Sequence, residues 1–503
     1  MSGQNGAARA KSKNESTNCE ENLYKRMEKI STRKIGRNLG LSLLAQVVSL
    51  VTSFVLGFIV PKFIDEYQYS YWQTYLLYIS YVSLLQFGVL DGLVLRYSQY
   101  DDDELDKPRI RSQLQMLLTI LTVIAAGVIL FAFLVLDGVA KYVTVLVALS
   151  IITKNIFTYT SNAFQITNRL NVYALVVIIQ RAVYAVMIVA LLLMRNNDYY
   201  WYCIADLVGD LFGILLGVII ARDLYVGRPI PLREGIKEFK TNAFSGCFVT
   251  VAGFAGAFLI IGSKSVIQWK WDTLTFGKLA FSFSVCLAFV SFINAFSVVL
   301  FPSIKRMDES KLPDLYGKLR GSFTLMALGM LIGYYPCRWI LEIWLPKYAV
   351  GLVYLGTLLP LIIFYMRLNF LTNNYLKAYR KEKAMLFINV GAVVFGMGLF
   401  LLCAYGLDNL NLLLYSVVLV IMLRSVVSEI VIGRRIGQHF WKEYVEEMLM
   451  SAGFIACVQV FSLWIGCAVY AGLFVVYVLF HRGSMKAIWR MVRGVFHKEV
   501  KDV

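Results

Sequence analysis

The sequence predicts an all-α polytopic membrane protein with about 14 transmembrane helices, arranged as two six-helix lobes plus a C-terminal helix pair. Three observations carry this. Of the 503 residues, 58% are hydrophobic and only 16% charged, and the apolar residues gather in runs close to the ~20 needed to cross a bilayer. Lys and Arg fall in alternate loops, about 37 on one set of sides against about 6 on the other, a bias that places both termini in the cytoplasm. A shift of about 204 residues lays Asn38 on Asn242, Trp72 on Phe276 and Tyr97 on Phe301, the pattern of a parallel repeat about an axis along the membrane normal. The net charge of +17 follows from the loop bias, and no segment is long enough to form a soluble basic face for nucleic acid.

Residues 1–37 are polar and basic and predict a cytoplasmic tail. The first apolar run is too long for the core of a signal peptide. Six spans then follow at 38–61, 72–95, 113–135, 142–163, 172–194 and 199–221, the N-terminal lobe. Residues 222–242 form a linker in which Leu232, Ile236 and Phe239 make a stripe beside Arg233, Lys237 and Lys240, as in a helix lying on the inner leaflet. The second lobe, 243–432, has spans at 243–262, 277–300, 320–345, 350–375, 384–404 and 409–432. A hairpin within 433–481 has spans at 445–464 and 466–481, with Gly466 expected to turn the chain. Residues 482–503 are an amphipathic cytoplasmic tail, Ile488, Trp489, Val492 and Phe496 opposing Lys486, Arg490 and Arg493. Twelve spans plus a re-entrant hairpin is the alternative count.

Several spans carry charge. The cations are Lys154, Arg181, Arg338, Arg367 and Arg424, with Arg96 at an inner edge; the anions are Asp91, Asp206, Asp210, Glu342 and Glu429. Each such group costs roughly 2.5–3.5 kcal/mol at a helix centre facing lipid, so the five cations would cost roughly 12–17 kcal/mol together. They must face water or one another. Arg338 and Glu342 stand at i, i+4 and predict an intrahelical ion pair. Lys154, Arg181, Arg367 and Arg424 have no such partner in sequence and predict a cationic central cavity, with Arg96 near its entrance. Asp206 and Asp210 share one helix face and serve either as counter-charges or, with Asp91, as a proton or sodium site. A cavity lined by Lys and Arg suits an anion, and the guanidinium fork matches phosphate oxygens.

No G-x-x-x-x-G-K-[ST] run is present, so ATP binding through a P-loop is not expected. Asp101-Asp102-Asp103-Glu104 reads as a solvated loop. The cysteines show no C-x-x-C spacing and all but Cys19 lie in or beside apolar runs, so neither a zinc site nor a disulfide framework is indicated. No cofactor or metal is expected.

The runs Phe276-Gly277-Lys278-x-x-Phe281, Phe292-Ile293-Asn294 and Phe301-Pro302-x-x-Lys305-Arg306 resemble the Wzx-type polysaccharide flippases of the multidrug/oligosaccharidyl-lipid/polysaccharide exporter superfamily. Phe87-Gly88-x-x-Asp91-Gly92-Leu93-x-x-Arg96-Tyr97 and Asn168-Arg169-x-x-x-Tyr173 with Arg181 fit the same family, over about Asn38 to Arg435. The resemblance implies a non-enzymatic exporter in a bacterial cytoplasmic membrane, moving a polyprenyl-diphosphate-linked oligosaccharide by alternating access. It implies an ion gradient (H+ or Na+) or product withdrawal rather than ATP as the driving force, membrane lipids as surroundings, and polysaccharide polymerase and glycosyltransferases as partners. A departure is that the first span has no internal cation, only Arg37 at its lip. The rival readings are a multidrug or metabolite ion antiporter of the same superfamily and a membrane-embedded polymerase or glycosyltransferase.

Overall fold

A computed structural model describes residue 44 and residues 46–98, 100, 104–305 and 312–481, with backbone alone over 290–305 and at 382. The predicted tails, Asn38, Arg306 and the side chains of Phe292, Asn294, Phe301 and Pro302 lie outside what is described. Among the described residues the chain is helical, with no strand. Nine helices there are long and apolar enough to cross a membrane, or up to eleven if each of two bent pairs counts as one span.

The first half opens with α1 (Gln46–Phe63), which contains a π-helical stretch, Val55–Ile59. It continues with α2 (Glu66–Ile79) and α3 (Val89–Tyr97), then α4 (Lys107–Val135), α5 (Gly138–Ile166), α6 (Leu170–Leu193) and α7 (Tyr199–Ile220). Asp65 caps α2 by accepting from the Tyr67 N–H, and Asp106 caps α4 by accepting from Arg109. The α2–α3 unit is bent by 52°. The bend falls on Phe87 and Gly88, both left-handed at φ 52° and 77°; glycine adopts this conformation without strain. The sequence motif around Phe87-Gly88 is thus the break in a span.

The second half begins with α8 (Leu232–Lys270) and α9 (Thr273–Lys305), then α10 (Leu312–Ile332), α11 (Tyr334–Trp344) and α12 (Ala349–Leu358). There follow α13 (Leu361–Ala378), α14 (Glu382–Leu401), α15 (Leu410–Ile436), α16 (Trp441–Val460) and α17 (Leu463–Phe480). The α12–α13 unit bends by 51° at Leu359-Pro360, where proline withholds a backbone donor. Within α13, Arg367–Thr372 is π-helical. Asn409 caps α15 through the Leu412 N–H, and Gly437 ends it in the left-handed region.

Two local expectations are corrected. The Leu232–Phe239 stripe is not a separate surface helix: it is the first turns of α8, whose 39 residues extend roughly 58 Å at 1.5 Å each. The prolines that could break the chain, Pro229 and Pro231, precede Leu232, and none follows before Lys270. The turn between the last two helices falls at Phe461-Ser462, both extended, rather than at Gly466. Gly466 lies inside α17, where a Cβ would stand 2.7 Å from the Cys457 carbonyl.

The halves meet along α2, α3, α8 and α9. At the end rich in Lys and Arg, α3 packs backbone to backbone on α8. A Cβ on Gly92 would lie 2.0 Å from the Asn242 carbonyl oxygen. At the opposite end α2 packs on α9 through an aromatic plug of Tyr69, Trp72, Phe276, Phe281 and Tyr348, all buried. Its rim holds Lys62 donating to the Trp344 carbonyl at 2.6 Å and a Glu66–Lys278 pair at 3.5 Å.

Candidate functional site

The intramembrane charges separate into closed clusters and open ones. In the first half, Lys154 of α5 sits between Asp206 and Asp210 of α7, at 2.8 and 2.9 Å. One turn of α7 separates the two carboxylates, so both point at the same ammonium. Tyr75 of α2 donates to Asp206 at 3.0 Å, and Gln180 of α6 donates to Asp210 at 3.0 Å. Lys154 is therefore a paired group, not the unpaired cavity cation expected from the sequence. The reason is depth: low dielectric makes a direct carboxylate partner the cheapest solution for a buried ammonium. Asp206 and Asp210 are its counter-charges.

The second half holds a larger closed cluster. Arg367 meets Glu429 at 3.2 Å and also pairs with Glu447, while Arg320 meets Glu429 at 2.8 Å and Glu447 at 3.1 Å. None of the four side chains is more than 4% exposed. Tyr316 and Thr324 donate to Glu429 and Glu447, and Ser425 accepts from Arg367 Nε. Two guanidinium groups and two carboxylates leave no net charge. Arg367 therefore belongs to a sealed quartet linking α10, α13, α15 and α16, which corrects its placement in a cationic cavity. Sequence reasoning missed Arg320 and Glu447 because each lies near a span end, where a charge looks solvated; only the packing of α10 and α16 on α13 brings them inward.

Arg424 differs. Its Nε donates to Asn389 at 2.9 Å and its Nη1 to the Gly256 carbonyl at 2.7 Å. Both acceptors are neutral, and among the described residues no carboxylate pairs with it. Arg424 lies midway along α15 and lines a cavity of about 480 Å³ between α8, α9, α13, α14 and α15. Tyr365, Asn369, Asn373 and Asn389 line the same space. One guanidinium, three carboxamides and a phenol can bind an anion and hydroxyl groups together. The Asn residues carry no charge and were not singled out in the sequence; the π turn of α13 presents Asn369 and Asn373 here while Arg367 turns to the quartet.

Arg181 of α6 is half-buried, and among the described residues it has no ion-pair partner; it does not line the Arg424 cavity. Arg96 pairs with Glu238 and Asn242 of α8 and lines a cleft of about 360 Å³ with Tyr97, Tyr100 and Arg109 at the Lys/Arg-rich end. Asp91 accepts from Gln86 and from Thr250 of α8, so it ties α3 to the other half. Arg338 and Glu342 meet at 2.7 Å along α11. Lys264 of α8 is half-buried with no hydrogen-bond or ion-pair partner among the described residues. It lies one turn beyond Ile260 and Ile261 on the cavity-lining side of that helix. The sequence reading placed it in a loop because it ends an apolar run.

A bent-helix bundle with charges sealed in each half and an open polar cavity is the architecture of a multi-pass membrane protein. No family model and no curated protein matches the chain. Solved structures do. It is similar to the lipid II flippase MurJ in an inward closed conformation, with a TM-score of 0.63 and 12% identity over 88% of this chain and 98% of that one. It is similar also to a multidrug resistance MATE family transporter of the MOP superfamily in its inward-facing conformation, with a TM-score of 0.56 and 11% identity over 78% and 94% of the two chains. The outward-facing form of such a transporter gives 0.54 and 12% over 80% and 95%. The fold is that of the MOP-superfamily transporters.

Proposed function

We propose that the protein is a flippase of the bacterial cytoplasmic membrane. It carries a polyprenyl-diphosphate-linked oligosaccharide from the inner to the outer leaflet for surface polysaccharide assembly. Arg424 carries this reading. A guanidinium at mid-span without a carboxylate is costly unless it meets an anion, and the amides around it suit the phosphate ester and first sugars. A multidrug antiporter reading needs a cavity for cations, which Arg424 disfavours. A polymerase or glycosyltransferase would need a catalytic loop outside the membrane or an acidic metal site inside it, and product formation by the purified protein would favour that reading instead.

The Lys/Arg-rich end faces the cytoplasm in this reading, and the α3–α8 and α2–α9 contacts are the two ends of an alternating-access seam. Lys154, with its two carboxylates, leaves one negative charge over, and this cluster supplies the proton or sodium coupling. Purified protein in proteoliposomes, given a fluorescent polyprenyl-diphosphate oligosaccharide, should move it across the bilayer. Arg424→Ala should slow that movement by about tenfold, the loss of about 1.4 kcal/mol of binding, and Arg424→Lys should recover part of it. Unchanged rates in folded Arg424→Ala protein would overturn the assignment.

A further inference from the structure

Arg424 lines two spaces. Besides the polar cavity, it borders a groove of about 400 Å³ between α14 and α15, walled by Phe387, Gly391, Phe395, Val420, Leu423 and Val427. The walls are apolar, and Phe387, Phe395 and Val427 are exposed on the membrane-facing surface of the bundle. Arg424 is thus shared by the two spaces, with its guanidinium donating to Asn389 and the Gly256 carbonyl and the residue bordering an apolar groove on its other side. The two spaces together fit a ligand with a charged head and a long apolar chain joined at one point.

We infer that this groove seats the polyprenyl chain of the transported lipid while its diphosphate rests on Arg424. The inference rests on the reading of Arg424 given above and adds the path of the chain: through the α14–α15 face of the second half, not along the seam between the halves. Head and tail are then held on opposite sides of one side chain. Gly391 is the natural probe, since a Cβ there meets nothing within 4 Å. A larger side chain at 391 starts from a Cβ in open space and extends into the groove that Gly391 walls, and it removes a helix-weakening glycine.

The test compares two fluorescent diphosphate-linked oligosaccharides with the same head, one on a long polyprenyl chain and one on a geranyl chain, in proteoliposomes of wild-type protein and Gly391→Leu. The expected result is a loss of about tenfold with the long chain and no change with the geranyl chain, at an unchanged melting temperature. Equal rates for wild type and variant with the long chain, or equal losses with both lipids, would overturn the groove while leaving Arg424 in place. Wild-type protein that moves neither lipid would overturn the reading of Arg424 and this inference with it. Photolabelling of wild-type protein by a long polyprenyl chain bearing a diazirine gives an answer independent of the variant's folding. Label within 387–395 supports the groove, and label confined to α2, α3 or α9 rejects it.

Discussion

Replacing Glu447 by Gln tests whether the quartet of the second half is sealed. The substitution keeps shape and removes one negative charge, leaving Arg320 and Arg367 to share Glu429. Each arginine is within 3.2 Å of both carboxylates in the intact cluster, and none of the four groups has water to turn to. Breaking a buried pair from one side costs about 3–5 kcal/mol, because a charge is stranded. Removing a balanced pair costs far less: Arg367→Met with Glu447→Gln leaves Arg320 and Glu429 joined at 2.8 Å. The double variant should lie within about 1–2 kcal/mol of wild type. The assay is SDS titration of protein in mixed micelles, followed by tryptophan fluorescence. The coupling between the two sites should exceed about 1 kcal/mol, well beyond the additivity of independent positions. Small, additive effects of the single changes would mean that the quartet is wet, and the account of Arg367 as a structural group would fail.

Two further outcomes are expected. Gly92→Ala puts a Cβ 2.0 Å from the Asn242 carbonyl, so α3 and α8 must part; stability in the same titration should fall by about 1–3 kcal/mol, whereas Gly127→Ala, where nothing lies within 4 Å, should be neutral or stabilising. Asp272, in the loop before α9, accepts from the Thr275 hydroxyl and N–H at 2.6 and 3.0 Å, and the Thr275 hydroxyl holds its carboxyl below the usual carboxylate range. A carboxyl lowered in the folded state stabilises fully above its ordinary value and loses that contribution as pH falls through the folded one. Asp272→Ala should therefore cost about 1 kcal/mol at neutral pH and progressively less in acid, read from amide exchange at Thr275 and Phe276.

The helical membrane class was legible because apolar run length and the alternation of Lys and Arg are set by the bilayer and do not depend on packing. The Arg338–Glu342 spacing was legible for a similar reason: one helix fixes both ends of the pair. Partners on different helices were another matter. Nothing in the sequence says that Glu447 reaches Arg367 across α13 and α16, or that Asp206 and Asp210 both turn to Lys154 rather than to Arg181. Arg424 was singled out with the same argument as Lys154 and Arg367, and only the absence of a nearby acid distinguishes it. The amides at 369, 373 and 389 gave no signal, since an uncharged polar residue in a span has many uses. The extent of α8 was obscured by its basic first turns, which look like a surface segment until the prolines before them are seen to be the last breakers.

Along α13, Arg367 is bolted to two other helices, α15 and α16, while Asn369 and Asn373, a few residues on, line the polar cavity. Framework and cavity lining thus occupy different sides of a single rod. In the proposed role, exchanging Asn373 would alter the cavity wall while the ion pairs of Arg367 stay in place, so the lining can change by small steps without undoing the packing of this helix.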